Sequence, residues 1–469
     1  LLARDPNVVI LLADDLGYGD LGCYGNTKIK TPHLDRMAAE GTRFTSFLVA
    51  QAVCSASRAA MMTGCYANRV GMAGALNHTS KEGIHPDELL IPEVLKSKGH
   101  ATAAFGKWHL GTERMFHPLR NGFDEFQGIP YSNDNSKYHP SLAKEMPPLP
   151  FYEGEKIVEH DPDQSLFTKR YTEAAVRFIQ RNKDRPFFLY VPHVMPHVPI
   201  FASDAFRGKS AAGLYGDVVE ELDASVGTIL SAIRAAGVEK DTLVIFFSDN
   251  GPFLSYGDHA GSAGPLREGK LTCYEGGVRV PCLMWQPGRV PAGRVCDELI
   301  TEMDLLPTFC EMTGAALPGK KLDGRSFLPL LEGREGAKSP HEFIAMYSGD
   351  ELQAVRGGRW KLHFDHPYIS VDGEPGTGGK PAMFGKLKPK SITQSGIEGI
   401  ATRHGYHVRQ QRAALYDLQV DVGETRDVSA AHPEVVERLK VCAERMRDEL
   451  GDSLTGVKGK ENRPAGRAP

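Results

Sequence analysis

Five residues bring several reactive groups together: Cys54-Ser55-Ala56-Ser57-Arg58. A thiol, two hydroxyls and a guanidinium stand just ahead of the helix-like run Ala59-Ala60-Met61-Met62-Thr63, which Gly64 closes. Cys54 therefore falls near a helix start, where a cysteine is either a small buried apolar residue or a thiol with a lowered pKa. Two other places carry carboxylates at the ends of apolar runs. Asn7-Val8-Val9-Ile10-Leu11-Leu12-Ala13 ends in Asp14-Asp15, and Thr242-Leu243-Val244-Ile245-Phe246-Phe247-Ser248 ends in Asp249-Asn250-Gly251. One such end reads equally well as a turn or a helix cap. Two of them, both offering hard oxygen atoms, point to a divalent-cation site. The C-terminal ends of buried strands open on the crevice where α/β sheets bind ligands.

Other polar groups are less decisive on their own. Lys107 and His109 follow the strand-like Ala101-Thr102-Ala103-Ala104-Phe105-Gly106. Alternation puts both on one side if the strand continues; otherwise they are surface residues around a packed Trp108. His193 and His197 stand in Pro192-His193-Val194-Met195-Pro196-His197-Val198-Pro199, where the prolines forbid a helix or a ladder and dictate a rigid loop. A Gly-rich loop at 257–277 carries His259, Arg267 and Lys270.

The elements that must position these groups alternate. Strands are expected at 7–13, 42–47, 101–106, 186–191, 242–248 and 278–285. Helices are expected at 33–40, 89–98, 171–179 and 214–236, with another starting near Asp304. This order predicts an α/β fold with a large central, mostly parallel sheet flanked by helices on both faces. Beyond about residue 333, short β-type runs at 343–347, 352–356, 359–364 and 414–418 precede a final helix at 434–450. They predict a smaller C-terminal antiparallel sheet with a packed helix. The expected division is a catalytic domain at 1–335 and a smaller α+β domain at 336–469. Segments 131–150 and 366–400 read as long loops, and the polar tail after Gly451 as frayed.

Composition excludes some classes. The 469 residues carry a net charge of -4, so no basic excess serves a nucleic acid or an anionic membrane. No run of eighteen apolar residues is present, so no segment reads as a membrane span. The sequence enters its first strand at once, so any secretory leader is expected to have been removed or never to have existed. The eight cysteines are scattered, with neither metal-type spacing nor the density of a disulfide scaffold.

Taken together, the motifs resemble those of the type I, formylglycine-dependent sulfatases of the alkaline phosphatase superfamily, in the arylsulfatase A and N-acetylgalactosamine-6-sulfatase branch. The resemblance rests on Ala13-Asp14-Asp15-Leu16-Gly17-Tyr18-Gly19-Asp20, Cys54-Ser55-Ala56-Ser57-Arg58, Gly106-Lys107-Trp108-His109-Leu110-Gly111, Pro196-His197, Ser248-Asp249-Asn250-Gly251, Gly269-Lys270, Tyr274-Glu275-Gly276-Gly277 and Leu415-Tyr416-Asp417-Leu418. The family pattern is Cys-x-Pro-x-Arg or its variant with alanine third, as Ala56 is here.

The resemblance implies hydrolysis of a sulfate monoester, on a carbohydrate, through a formylglycine hydrate at position 54 and a covalent sulfo-enzyme intermediate. It implies that a formylglycine-generating enzyme converts Cys54. It implies a calcium ion held by Asp14, Asp15, Asp249 and Asn250 with an oxygen of modified residue 54. Arg58 and Lys107 would hold the alkoxide of residue 54, and His109 would take the proton of its second hydroxyl. His197 and Lys270 would contact sulfate, with His197 protonating the leaving oxygen, and Ser132 would contact sulfate as well. His78, Tyr138, His259 and Arg279 are candidate walls of the leaving-group pocket, and His193 is expected to be a structural loop residue. The other cysteines are expected to be packing residues. A periplasmic or secreted location follows from family habit. The rival readings are a phosphate- or phosphonate-ester hydrolase of the same superfamily and a glycan-binding protein that has lost catalysis.

Overall fold

A computed structural model describes residues 5–389 and 391–469. Residues 1–4, where the end of a leader would stand, lie outside the described residues. Four strands carry the architecture: β1 (Asn7–Ala13), β2 (Ala101–Lys107), β3 (Phe187–Pro192) and β4 (Thr242–Ser248). They run parallel in the order β4-β1-β3-β2 at the centre of the large sheet. Every residue of β1 and β4 is buried, as continuous apolar runs covered on both faces require. Arg279–Trp285 pairs antiparallel with β4, so the sheet is mixed beyond its centre.

Even-numbered residues of β1 (Val8, Ile10, Leu12) face a core shared with Met61, Met62 and Phe309. Odd-numbered ones (Val9, Leu11, Ala13) face a core shared with Phe178, Leu222 and Val226. Helix α1 (Cys54–Thr63) thus lies on one face, and α2 (Phe167–Asn182) and α3 (Gly213–Ala235) on the other.

Register decides what leaves the top of the sheet. Ala13 pairs with Ser248, so Asp14 and Asp249 emerge side by side. The Asp249 N–H donates to the Ala13 carbonyl at 3.1 Å, and the His193 N–H, just past β3, donates to Leu12 O at 2.8 Å. At Gly106 (φ 143°), a Cβ would stand 1.9 Å from Pro192 O, so only glycine lets β2 reach Lys107 this close to β3.

A second, antiparallel sheet orders Ile344–Ser348, Glu351–Gly357, Trp360–His363 and Ala414–Asp417. Helix α4 (Pro433–Leu450) packs Leu439, Cys442 and Ala443 against Val355, Leu362 and Leu415. Buried ion pairs join this sheet to the loop after Lys270. Glu275 accepts from Arg356 at 2.6 Å and from Lys361 at 3.2 Å, while Lys361 also pairs with Glu424 at 2.9 Å.

Several expectations are corrected. Segment 366–400 is not one loop. His366–Ser370 is a strand paired with His407–Gln411, and Gly396–His404 is a helix; position 390 lies outside the described residues. The tail does not fray. Gly451–Asp452 pairs with Val457–Lys458, and Gly466–Arg467 pairs with Glu82–Gly83. Its polar side chains are used in ion pairs, Arg463 with Glu88 at 2.8 Å and Glu461 with Arg69 at 3.0 Å. The expected helix at 89–98 is limited to Ile91–Lys96. All eight cysteines are free. Among the described residues, no helix is long and apolar enough to cross a membrane.

Candidate active site

Helix α1 begins at Cys54, because Val53 is still extended (φ -155°, ψ 142°). Arg58 follows one turn later on the same face. Its guanidinium donates to Asp249 Oδ2 from Nε (3.1 Å) and Nη2 (2.9 Å), to Asp14 Oδ2 from Nη2 (3.0 Å), and to Lys107 O from Nη1 (2.6 Å). It therefore ties together the ends of β1, β2 and β4. Lys107 Nζ donates to Asp14 Oδ2 at 2.6 Å and to Ser132 Oγ at 3.2 Å. Lys270 Nζ donates to both Asp15 oxygens, at 2.7 and 3.0 Å, and to Cys54 Sγ at 3.4 Å. The Cys54 thiol donates to Asp14 Oδ1 at 3.4 Å.

Three carboxylates and three side-chain cations are thus buried together. Burial alone would raise the Asp14 pKa, but Lys107, His197 and Arg58 outweigh it and hold that carboxyl well below its usual range. Burial raises Asp15 to about 7 against the pull of Lys270, with Asp14 and Asp249 adding to the rise. Asp249 is also raised by burial, then by Asp14. Burial and then Asp14 push the Cys54 thiol far up, so it is no thiolate.

A cation fits these residues. Asn250 Oδ1 is buried without a partner among the described residues, while its Nδ2 donates to Asp15 Oδ1 at 2.7 Å. Ligand atoms of Asp14, Asp15, Cys54 and His197 all lie within 4.8 Å of one another. Crowded carboxylates beside an orphaned amide oxygen are the donor set of a hard divalent ion.

The histidines have assignable tautomers. His109 Nε2 lies 2.8 Å from Leu76 O and carries the proton; Nδ1 is buried without a partner among the described residues. Burial, then Lys107 and Arg58, keep this ring neutral, with a bare nitrogen available. His109 is placed by a left-handed turn (φ 60°) after β2 ends, not by strand alternation. His197 Nδ1 bonds to Val198 O, so its bare Nε2 faces Asp15 Oδ2 at 3.6 Å and Ser132 Oγ at 3.5 Å. Burial, then Lys270 and Lys107, lower His197 to about 3, so it is neutral before any anion binds. Asp15 and His109 share positive φ with Glu268 and Leu271, a concentration of strained backbone typical of functional sites.

His193 is separate from this cluster. It is buried against α3, with Nε2 3.5 Å from Ser225 Oγ, and burial lowers it to about 3. Its ring stays neutral in the fold down to that pH, whereas an unfolded histidine takes a proton below about 6.5. Its stabilising contribution is complete above pH 6.5 and is lost as pH falls. Urea unfolding should show wild type losing about 1.4 kcal/mol per pH unit relative to His193→Gln as pH falls from 6.5 towards 4. A constant difference between the two would reject this assignment.

The family model for sulfatases matches residues 6–315. The chain belongs to the sulfatase family. As a sulfatase, it is a sulfuric ester hydrolase. A model described as the C-terminal region of aryl-sulfatase matches residues 339–464. This sulfatase is similar to human arylsulfatase A, 38% identical over 94% of this chain and 87% of that one. It is similar to dog N-acetylgalactosamine-6-sulfatase, 42% identical over 77% of this chain and 72% of that one. Among solved structures, it is similar to Ps i-CgsB in complex with k-i-k-neocarrahexaose, with a TM-score of 0.75 and 26% identity over 99% of this chain and 95% of that one. The PsFucS1 sulfatase from Pseudoalteromonas sp. shares the fold, with a TM-score of 0.79 and 24% identity over 95% of this chain and 91% of that one.

The structure brings Asp14, Asp15, Cys54, Arg58, Lys107, Ser132, His197, Asp249, Asn250 and Lys270 into one cluster, with His109 at its edge. His78 and Tyr138 belong to the 131–139 region: His78 Nδ1 lies 3.0 Å from Asn135 Oδ1, and Tyr138 packs on Phe201. Arg279 is not a pocket wall. Its guanidinium bonds to Thr45 O and pairs with Glu275 at 3.5 Å, in the ion network beneath the second sheet. Phe253 went unnoticed in the sequence; its ring lies 4.6 Å from Lys270 Nζ and 6.2 Å from the His197 ring. So did Asp134, two residues past Ser132.

Proposed function

We propose that this sulfatase removes sulfate from a carbohydrate ester, with formylglycine made from Cys54 and a bound calcium ion. The observation that carries the reading is the setting of residue 54: a protonated, buried thiol where three carboxylates and three cations converge. A thiol held in that form is a poor nucleophile, so a converted side chain suits the site better. Two relatives, an N-acetylgalactosamine-6-sulfatase and a structure holding neocarrahexaose, support the carbohydrate part.

Asp14, Asp15, Asp249 and Asn250, with an oxygen of residue 54, would hold the calcium ion, which would offset the charge of a sulfate group. Hydrated formylglycine would supply two hydroxyls on one carbon, one to take sulfate from the ester and one to expel it from the covalent sulfo-enzyme. Arg58 and Lys107 stabilise negative charge on residue 54. Lys270 and Ser132 orient the sulfate oxygens. His109, neutral with a bare Nδ1, accepts the proton of the second hydroxyl. His197 donates to the leaving oxygen once the anion beside it favours its protonated form. We assign these roles to the domain at 1–335 and treat 336–469 as its smaller companion. A formylglycine-generating enzyme is the maturation partner, and periplasm or secretion is the location, where sulfated polymers and calcium meet.

The test is a mass spectrum of the Cys54 peptide from the native host, paired with turnover of aryl sulfate and aryl phosphate. Formylglycine and a strong sulfate preference are expected, with activity lost to a chelator and restored by calcium. An intact thiol throughout, or a wide preference for phosphate, would overturn the reading.

A further inference from the structure

Three polar groups, two on the loop that follows Ser132 and one on the helix Gly396–His404, have no use in the reaction above. Asp134 is 9% exposed. Its side chain accepts from Asn135 Nδ2 at 3.0 Å. Burial would raise its pKa, but its surroundings of His197, His139, a hydrogen bond with Ser132 and the Lys107 charge together hold it well below the usual carboxylate range. An ionised carboxylate next to a sulfate-contacting serine repels sulfate, so it suits a different part of the substrate.

His139 Nδ1 accepts from the backbone N–H groups of Ser141 (3.1 Å) and Leu142 (3.0 Å), so its proton is on Nε2. That N–H is buried without a partner among the described residues, in a side chain 3% exposed. Buried donors are nearly always satisfied, so an orphan of this kind marks a position for a ligand atom. Arg403 repeats the pattern. Its Nη1 donates to Gln394 O at 2.6 Å, yet its Nε is buried without a partner among the described residues.

The neighbour of Arg403 fixes where it stands. His404 Nδ1 lies 3.0 Å from Tyr256 Oη, its carbonyl accepts from Ser255 Oγ, and its ring is 4.8 Å from that of Phe253, the residue under Lys270. The helix Gly396–His404 is thereby docked on the wall that carries a sulfate-contacting lysine. Asp134, His139 and Arg403 lie within electrostatic reach of one another, farther apart than an ion-pair contact.

We propose that Asp134, His139 and Arg403 bind the sugar of the sulfate ester, and select a unit bearing a second anionic group, carboxylate or sulfate, near the sulfate removed. The proposal rests on the carbohydrate reading above. Asp134 accepts hydrogen bonds from sugar hydroxyls. His139 Nε2–H and Arg403 Nε–H donate to the second anion, for which a guanidinium is well shaped.

The experiment compares kcat/KM on nitrophenyl sulfate, N-acetylgalactosamine 6-sulfate, its 4,6-disulfate and a hexuronate-linked 6-sulfated disaccharide. In Arg403→Gln, kcat/KM on one or both of the doubly anionic sugars should fall about tenfold or more relative to the other two substrates, mostly through KM. Loss confined to the disulfate identifies a second sulfate; loss confined to the disaccharide identifies a carboxylate. Asp134→Asn should weaken all three sugars relative to nitrophenyl sulfate. Arg409→Gln, on the exposed strand paired with Asp372, should change none of these ratios. Equal losses on all four substrates, or no loss, would overturn the subsite alone. Wild type that cleaves nitrophenyl sulfate but none of the sugars would overturn the carbohydrate reading with it.

Discussion

Cys54→Ala should lower turnover of an aryl sulfate by about 10,000-fold or more, because on the proposed mechanism it deletes the group that takes the sulfate. The fold should survive. Among the described residues the thiol makes two long hydrogen bonds, 3.4 Å each, while Asp14 keeps Lys107 and Arg58, and Lys270 keeps Asp15. The stability loss should be about 1 kcal/mol. Cys54→Ser separates two roles that alanine removes together. A lone hydroxyl can take sulfate but has no second hydroxyl to expel it, so intact-protein mass should show one SO3 retained after a single turnover. Steady turnover by the serine variant near the wild-type rate would sink the proposed role of residue 54.

Arg58→Met is the second large effect, and it acts on stability as well as rate. The guanidinium is wholly buried and bonds two carboxylates and a carbonyl at the ends of three strands. Removing one member of a buried ion cluster strands the others, at a cost of about 3–5 kcal/mol. Rate should fall about 100-fold or more, since a preorganised positive charge beside residue 54 disappears. Arg58→Lys should restore little, because one ammonium cannot span Asp249, Asp14 and Lys107 O from a rigid fork. Urea unfolding and kcat on the same preparations test both halves. A methionine variant as stable as wild type would show that the cluster is not held by this residue.

Much of this cluster was legible because it depends on local signals. The strand at 242–248 matches the structure residue for residue, since a continuous apolar run leaves few alternatives, and Asp14 and Asp249 follow from where the two runs stop. Ser132 was legible only through the family motif; nothing in its loop's composition says that Ser132 to Ser136 are buried. What stayed hidden depends on partners far along the chain. The tail looked free because its polar residues are indistinguishable from solvated ones until Glu88 and Arg69 are placed beside them. Arg403 has no spacing relation to Ser132. Arg279 was misplaced for the same reason: charge alone does not say whether an arginine faces a ligand or a buried Glu275. His109 was singled out by the family motif, because spacing alone left it open between the site and the surface; a left-handed residue, not strand alternation, sets its position.

The burial of Cys54 also sets a clock. The side chain is 2% exposed, between Lys270 and Asp14. An enzyme the size of a protein cannot place its own active site around it once these elements have closed. The proposed conversion of residue 54 would therefore be confined to the interval between its synthesis and the docking of Lys270, whose loop is anchored through Glu275 to Arg356, Lys361 and Glu424. Arg356 and Lys361 follow Cys54 in the chain by some 300 residues, and Glu424 by 370. On that proposal, the late arrival of the second sheet would hold the site open, and the order of the gene would give the modifying enzyme its working time.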